Sequence, residues 1–420
     1  MKEKFRLKKF SGLLKWLYPG IGIKRWILVS AFGMVLLFIG AFAFQQDSVL
    51  LLKFLNIFLI FLGLCLLISG IIKGLHSFII FFFPELQKKR EFADMIYNRR
   101  KLEKGPNVVT IGGGTGLSVL LGGLREFTSN ISAVVTVADD GGSSGRLREQ
   151  FDILPPGDIR NCLVALADAP ELMRKLFQFR FSSPSEFSGH NFGNLFITVM
   201  TQVTGDFDKA VKESSRVLAI HGQVIPSTLN KVMLVASYND GSITEGEAKI
   251  PEVRRPINKV WLKPEGSRAT GEALLAIQQA QIIVLGPGSL YTSIIPNLLV
   301  KEIREAVVNS DAVKVYVCNI MTQPGETDNF TASQHLKALI EHTHPRIIDY
   351  FLVNTGSISK ELRQRYKEQN SSLIVADTQK IRNMGFQVIG DDVITIFNND
   401  YIRHDPIKLS RMILGLIEEV

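Results

Sequence analysis

The sequence predicts an α/β protein, a largely parallel sheet with helices on both faces, preceded by an N-terminal two-helix transmembrane hairpin. Three observations lead there. Two nineteen-residue stretches without a charged side chain, 26–44 and 54–72, lie near the N-terminus, and a hydrocarbon core of about 30 Å needs ~20 such residues in a helix. From residue 106 onward short apolar runs alternate with helical patterns, as in parallel strands joined by helices. Several of those runs end in glycine-rich turns before a helix, at the strand ends where an open parallel sheet binds ligands.

The chain divides into an anchor (1–84), a charged linker (85–105) and a folded domain (106–420). Eight Lys/Arg precede the first apolar stretch and eight follow the second within residues 73–104, whereas the connection 45–53 holds one Lys and one Asp. Basic flanks stay on the cytoplasmic side, so both termini and the main domain are expected in the cytoplasm at the inner membrane. No small-residue cleavage site separates the stretches, which disfavours a cleaved signal peptide. The run 74–84 is too short to cross and is read as interfacial or as an extension of the second span. Residues 1–104 carry a net charge of +11 and residues 105–420 a net −3. The overall +8 thus belongs to the anchor, where it meets membrane lipids, and the domain lacks the basic excess that nucleic acid requires. Cys65, Cys162 and Cys318 are widely spaced and form no disulfide framework.

Within the domain the first expected strand is 108–111. Leu117, Leu120, Leu121 and Leu124 then recur at i, i+3, i+4 and i+7, one face of a helix. Further strands are expected at 133–138, 231–238, 281–285, 313–318 and 347–353, and helices at 194–203, 269–279, 333–341 and 359–369. Residues 243–262 alternate in polarity and are expected to form an antiparallel extension.

Five loops carry the chemistry. After the first strand come Gly112, Gly113, Gly114, Thr115 and Gly116. Glycine admits a ligand close to the backbone, and the following helix N-terminus offers free N–H groups for phosphate. Leu117 stands where a dinucleotide fingerprint has its third glycine, and there is no Gly-Lys-Ser/Thr of a P-loop. The second loop, 138–146, presents Asp139, Asp140 and Ser143 beside Arg146. Its carboxylates suit sugar hydroxyls or Mg²⁺. In the third, 154–161, Asp158 is read as a helix cap, with Arg160 and Asn161 in the first turn. The fourth, 188–194, offers His190, Asn191 and Asn194 at a helix start. The fifth supplies Gly286, Gly288 and Ser289, a second anion loop outside the G-x-S-x-G pattern of hydrolases. Residues 321–326 are a turn without an assigned role, His342 and His344 are read as surface residues, and Arg403 is placed to bring a cation to a ligand phosphate. No nucleophile–base pair or zinc cluster is recognisable.

Taken together, IGGGTGLSVLL, VTVADDGGSSGRLR, LPPGDIRN, GHNFGN, VLGPGSLYTS and CNIMTQPGETD resemble the gluconeogenesis factor family (YvcK type), within the 2-phospho-L-lactate transferase (CofD-like) superfamily. The resemblance spans residues 106–420. It implies a Rossmann-like core that binds a nucleotide sugar such as UDP-N-acetylglucosamine and supports cell-envelope synthesis and cell shape during gluconeogenic growth. Carried over by motif, the 112–116 loop, Asp139, Asp140, Asn161, Asn191, Asn194 and 286–289 line the site, with Arg403 added. The expected partners are the nucleotide sugar, membrane lipids and a cell-wall synthesis enzyme; a homo-oligomer stays open. The transferase branch implies the alternative, Mg²⁺-dependent transfer from a nucleotide-activated donor, with Asp139 and Asp140 holding the metal. An NAD dehydrogenase is disfavoured by Leu117, and catalysis within the bilayer by spans without ionisable residues.

Overall fold

The computed structural model describes residues 23–46, 49–82, 100–169, 171–182, 184–397 and 401–418. Two compact units emerge, residues 1–99 and 100–420. Most of the expected linker lies outside the described residues.

In the first unit, α1 (Ile23–Gln46) and α2 (Leu50–Phe82) are the two long apolar helices. By length and composition each is able to cross a membrane. Helix α2 continues through residue 82, so the run after residue 73 extends the second helix. The pair packs through small residues. A Cβ on Gly33 would lie 2.6 Å from the Leu67 nitrogen, and one on Gly63 would lie 2.7 Å from the Gly33 carbonyl. Gly33 and Gly40 face Gly63 and Ile60 across a seam with a seven-residue repeat, a spacing that lets helix backbones approach where no hydrophobic drive exists. The outward faces stay apolar and open: Leu28 is 69% and Phe38 74% exposed.

The second unit is built on a parallel sheet. Its strands are β1 (Val108–Gly112), β2 (Ile131–Val135), β3 (Gln223–Pro226), β7 (Ile282–Leu285), β8 (Val313–Val317), β9 (Tyr350–Asn354) and β10 (Gln387–Asp391), in the order β10-β9-β8-β7-β1-β2-β3. Every pairing is parallel. The chain builds outward from β1 to β3, then returns to the other side of β1 and builds outward again. β1 and β7 are buried along their whole length, as expected of strands covered on both faces. Between β3 and β7 an antiparallel sheet is inserted, in which β4 (Met233–Tyr238) pairs with β5 (Ile243–Glu245) and β6 (Ile257–Lys263). Here the expected antiparallel extension is found, and it also takes in residues 231–238, read above only as one strand among the others. Strand β2 ends at Val135 rather than Ala138, because residues 136–141 leave the sheet to build the second loop. β3 and β10 were not expected: each is an edge strand with too few apolar residues to mark a period.

Helix α3 (Gly114–Leu124) follows β1 and buries the four leucines of its repeat. Next come α4 (Gly142–Phe151), α5 (Gly157–Leu166), α6 (Glu171–Gln178), α7 (Phe192–Thr204) and α8 (Phe207–Val217). The Asn191 side chain caps α7 by accepting the Asn194 N–H. At the C-terminus, β11 (Ile394–Phe397) and β12 (Tyr401–His404) form a hairpin, and the last helix, Pro406–Glu418, packs on α3. The seat is glycine-dependent, since a Cβ on Gly123 would strike the Pro406 carbonyl, whereas Gly122 faces open space. Because β12 leads directly into this helix, the same contact sets the position of Arg403. Gly123→Ala is expected to destabilise the domain by about 1–3 kcal/mol through overpacking. Gly122→Ala is expected to be neutral or to stabilise by up to ~1 kcal/mol, and urea melts of the two variants check the difference.

Candidate functional site

The order of the strands reverses between β1 and β7, and the crevice outside that point is where doubly wound sheets bind ligands. Residue Ile111 pairs with Leu285, so the two glycine loops leave the sheet side by side. Their approach is closer than a side chain permits: a Cβ on Gly116 would lie 2.7 Å from the Pro287 carbonyl. Gly114 adopts a φ of +70° and Gly286 a φ of +82°, the left-handed region that glycine enters without strain. Helix α3 begins here with no cap from its own N-cap residue, Gly113, and the N–H groups after Gly114 lie at the positive end of the helix dipole.

A cavity of about 240 Å³ opens on these loops. Gly114, Thr115 and Gly116 form one wall, Gly288 and Ser289 another. The third comes from residues 319–323, the turn to which the sequence assigned no role. Asn319 accepts the Gly288 N–H and donates to the Gly288 carbonyl, at 3.2 and 2.8 Å. Gln323 donates to the Ser289 hydroxyl. Arg403 closes the crevice together with Tyr366. Two contacts place it: the buried His404 side chain meets the Cys318 carbonyl at 3.2 Å, and the Ile402 N–H donates to the Tyr366 hydroxyl at 2.8 Å. Burial drives the His404 imidazole down to about 4, so it is neutral and Arg403 is the cation there. Gly112 and Gly113 lie beneath the wall. The Gly112 carbonyl accepts from Asn297 and the Thr136 N–H, and a Cβ on Gly288 would lie 3.1 Å from the Gly113 carbonyl.

A second polar cluster adjoins the first. Ser143 binds His190 and the Asn194 amide, each at 3.2 Å, and accepts the Asn191 N–H at 3.3 Å. The N-termini of α4 and α7 thereby meet. Asp139 accepts from the Gly141 N–H and from Ser144. The side-chain amide oxygen (Oδ1) of Asn194 and the Nε of Arg160 are buried with no protein partner. Burial, then Arg146 and Arg180, lowers the His190 imidazole.

Asp158 is the residue the sequence misread. It does not cap α5, whose N-cap is Pro156. Instead its carboxylate accepts the Gly114 N–H, and a Cβ on Gly113 would collide with it. Asp158 therefore clasps the start of α5 to the start of α3 and joins the two clusters. Burial, and then Asp139, pushes its carboxyl up to about 7. Glu247, from the inserted sheet, is raised to about 8 by burial and by Asp139, and Glu326 to about 7 by burial. Asp140 faces another way, since its two oxygens accept the N–H groups of Ala248 and Glu247 at 2.9 and 3.2 Å. Asp140 thereby anchors the inserted sheet while its charge, after burial, still helps to raise Asp139. Among the described residues no three His, Cys, Asp or Glu side chains form a metal cluster.

Asn161 stands apart. It lines a separate recess of about 570 Å³ on the outer side of α3, shared with Thr115 and Arg125, and binds Arg160 at 2.5 Å. His342, read as a surface residue, is half-buried; its Nδ1 meets the Ala338 carbonyl and its Nε2 accepts the Val260 N–H. No sequence signal separates Glu247 or Tyr366 from ordinary surface residues; Asn319 and Gln323 lay inside a motif whose role was unread.

The fold and this crevice define a doubly wound α/β protein with a glycine-lined crevice at its switch point. The family profile described as 2-phospho-L-lactate transferase CofD matches residues 108–394. The gluconeogenesis factor of Bacillus subtilis is 47% identical over 314 residues, covering 75% of this chain and 99% of that protein. A relative from Clostridium acetobutylicum is 42% identical over 415 residues, 96% of this chain and 92% of that protein, so that alignment takes in the N-terminal helices. The crystal structure of a UPF0052-family protein from Bacillus halodurans superposes with a TM-score of 0.71 at 46% identity, over 74% of this chain and 99% of that one. The chain belongs to the CofD family, in its gluconeogenesis factor branch.

Carboxyls raised in the folded state hold protons more tightly than in the unfolded chain. Their contribution to stability is complete below the ordinary carboxylate range and is lost as pH climbs through 7 to 8. Urea melts of the wild type are expected to lose roughly 2–4 kcal/mol between pH 5 and 8, with Asp158→Asn flattening that slope.

Proposed function

We propose that this chain binds a UDP-sugar, of the UDP-N-acetylglucosamine type, in the crevice between β1 and β7. It acts from the cytoplasmic face of the membrane as a regulator of cell-envelope synthesis and cell shape during gluconeogenic growth. The observation that carries the reading is the meeting of two glycine loops and the N-terminus of α3 with Arg403 across one crevice. Backbone N–H groups and a guanidinium are the donors a diphosphate requires. The cavity of about 240 Å³ is smaller than the ~300–1,000 Å³ of pockets that enclose a whole drug-sized ligand. It suits the diphosphate and an adjoining ring, with the remainder over the rim. The two long apolar helices support anchoring, and a cell-wall synthesis enzyme is the expected partner of the loaded form.

One observation favours a second reading. Asp139, Asp158 and Glu247 gather raised carboxyls beside the phosphate loop, which suits a Mg²⁺-dependent transferase acting by positioning and charge neutralisation. Calorimetric titration of the full chain in nanodiscs with UDP-N-acetylglucosamine, with and without Mg²⁺, separates the two. The regulatory reading expects saturable binding with the ligand recovered intact. Arg403→Ala is expected to weaken that binding about 10- to 100-fold, the loss of a charge-assisted contact of ~1.5–3 kcal/mol. Absence of binding, or consumption of a nucleotide-activated ligand, removes the regulatory reading. Binding is also expected to tighten as pH falls from 8 to 6, because protonating the raised carboxyls removes negative charge facing the diphosphate.

A further inference from the structure

We propose that Arg25, Trp26 and Lys73 form a site for the phosphodiester headgroup of an anionic phospholipid at one end of the helix hairpin. The proposal rests on the membrane-spanning reading of α1 and α2 and adds a defined ligand to it.

Trp26 is half-buried on α1, in a notch made by two small residues of α2. A Cβ on Gly70 would lie 2.8 Å from the Trp26 carbonyl, and one on Gly74 would lie 3.6 Å from the Trp26 Cβ. Two cations converge on the indole from different helices. The Arg25 guanidinium carbon is 5.3 Å and the Lys73 nitrogen 4.7 Å from the ring centroid, so the charges lie within about 10 Å of each other. Neither α1 nor α2 contains an Asp or Glu, and among the described hairpin residues no carboxylate offsets the pair. The indole face attracts both cations but carries no net charge. Two cations held on one ring without a counter-ion are a receptor for an anion.

The depth of this cluster points to which anion. At the other end of the hairpin a single cation, Lys53, lies 6.0 Å from the Phe44 ring centroid. Trp26 and Phe44 are separated by about 27 Å at a helical rise of 1.5 Å per residue, close to the ~30 Å of a hydrocarbon core. When one ring sits at the lipid boundary, so does the other. Tryptophan favours that boundary, and Arg and Lys extend their charged ends from it toward the headgroups. Arg25 supplies a planar fork for two phosphate oxygens and Lys73 a point charge. The exposed Ile27 and Leu28 leave apolar surface below for an acyl chain.

The test uses the full chain and a variant carrying both Arg25→Gln and Lys73→Gln. Flotation with phosphatidylcholine vesicles reads anchoring alone, and failure of both proteins to float removes the membrane-spanning reading itself. Each protein is then extracted from bilayers holding equal phosphatidylcholine and phosphatidylglycerol, and retained lipids are counted by native mass spectrometry. The wild type is expected to retain phosphatidylglycerol over phosphatidylcholine by at least about fivefold, the worth of one cation near an anionic surface. The double variant is expected to float as well but to lose the preference, and Lys73→Arg to keep it. Equal retention by wild type and double variant overturns the site. Stripping of the retained lipid by millimolar inorganic phosphate overturns the lipid assignment in favour of free phosphate.

Discussion

The close passage of two backbones at the centre of the sheet governs the rest of this domain. Gly116 and Pro287 approach so nearly that a single methyl group at residue 116 would lie 2.7 Å from a carbonyl oxygen. That contact exists because β1 and β7 are register-matched neighbours whose successor loops turn toward the same side. Any side chain there would push α3 away from the 286–289 loop and open the crevice. Asp158 acts from below on the same junction. By taking the Gly114 N–H it consumes one donor of α3 and leaves the others to a ligand.

The charge arrangement follows from this geometry. Asp139 and Asp158 share their surroundings with Arg160, and Arg403 lines the crevice. Arg160 is lowered by burial and by Arg180 while Asp158 and Asp139 pull it up, and it in turn lowers both carboxyls. A site in which both acids and arginines are held below full solvation gains from a ligand that brings an anionic diphosphate and hydroxyl donors at once. The inserted antiparallel sheet contributes through Asp140, which fixes residues 247 and 248 and so sets where Glu247 stands. An insertion in the second half of the chain thereby shapes a loop in the first.

The hairpin obeys different physics. The two helices come close through small residues, the seven-residue repeat of Gly33 and Gly40 against Gly63 and Gly70. The outward apolar faces are then the solvent-exposed surface of this unit, a surface that water disfavours and a bilayer accepts. Relatives differ here: the alignment with the Clostridium protein takes in this region, and that with the Bacillus protein leaves about a quarter of this chain unmatched.

The sequence by itself determined the parts that depend on local pattern. The two apolar stretches, the leucine repeat of α3, the buried β1 and β7 and the glycine loops after them are legible because periodicity and glycine placement act over a few residues. Arg403 lies outside those motifs, and it is the folded chain that brings it to the glycine loops. The tertiary structure alone decided which polar residues meet. Asp158 reads as a cap in one dimension, since a carboxylate near a helix start satisfies that rule whether it faces solvent or a neighbouring loop; only the packing of α5 on α3 turns it inward. Asp140 reads as a ligand for the same reason, yet its partners lie more than a hundred residues away. Tyr366 meets Asn319 and Gln323 from a different element, and no short-range pattern encodes that convergence. Strands β3 and β10 escaped for a related reason: edge strands need few apolar residues, and their pairing is specified by the neighbour already in the sheet.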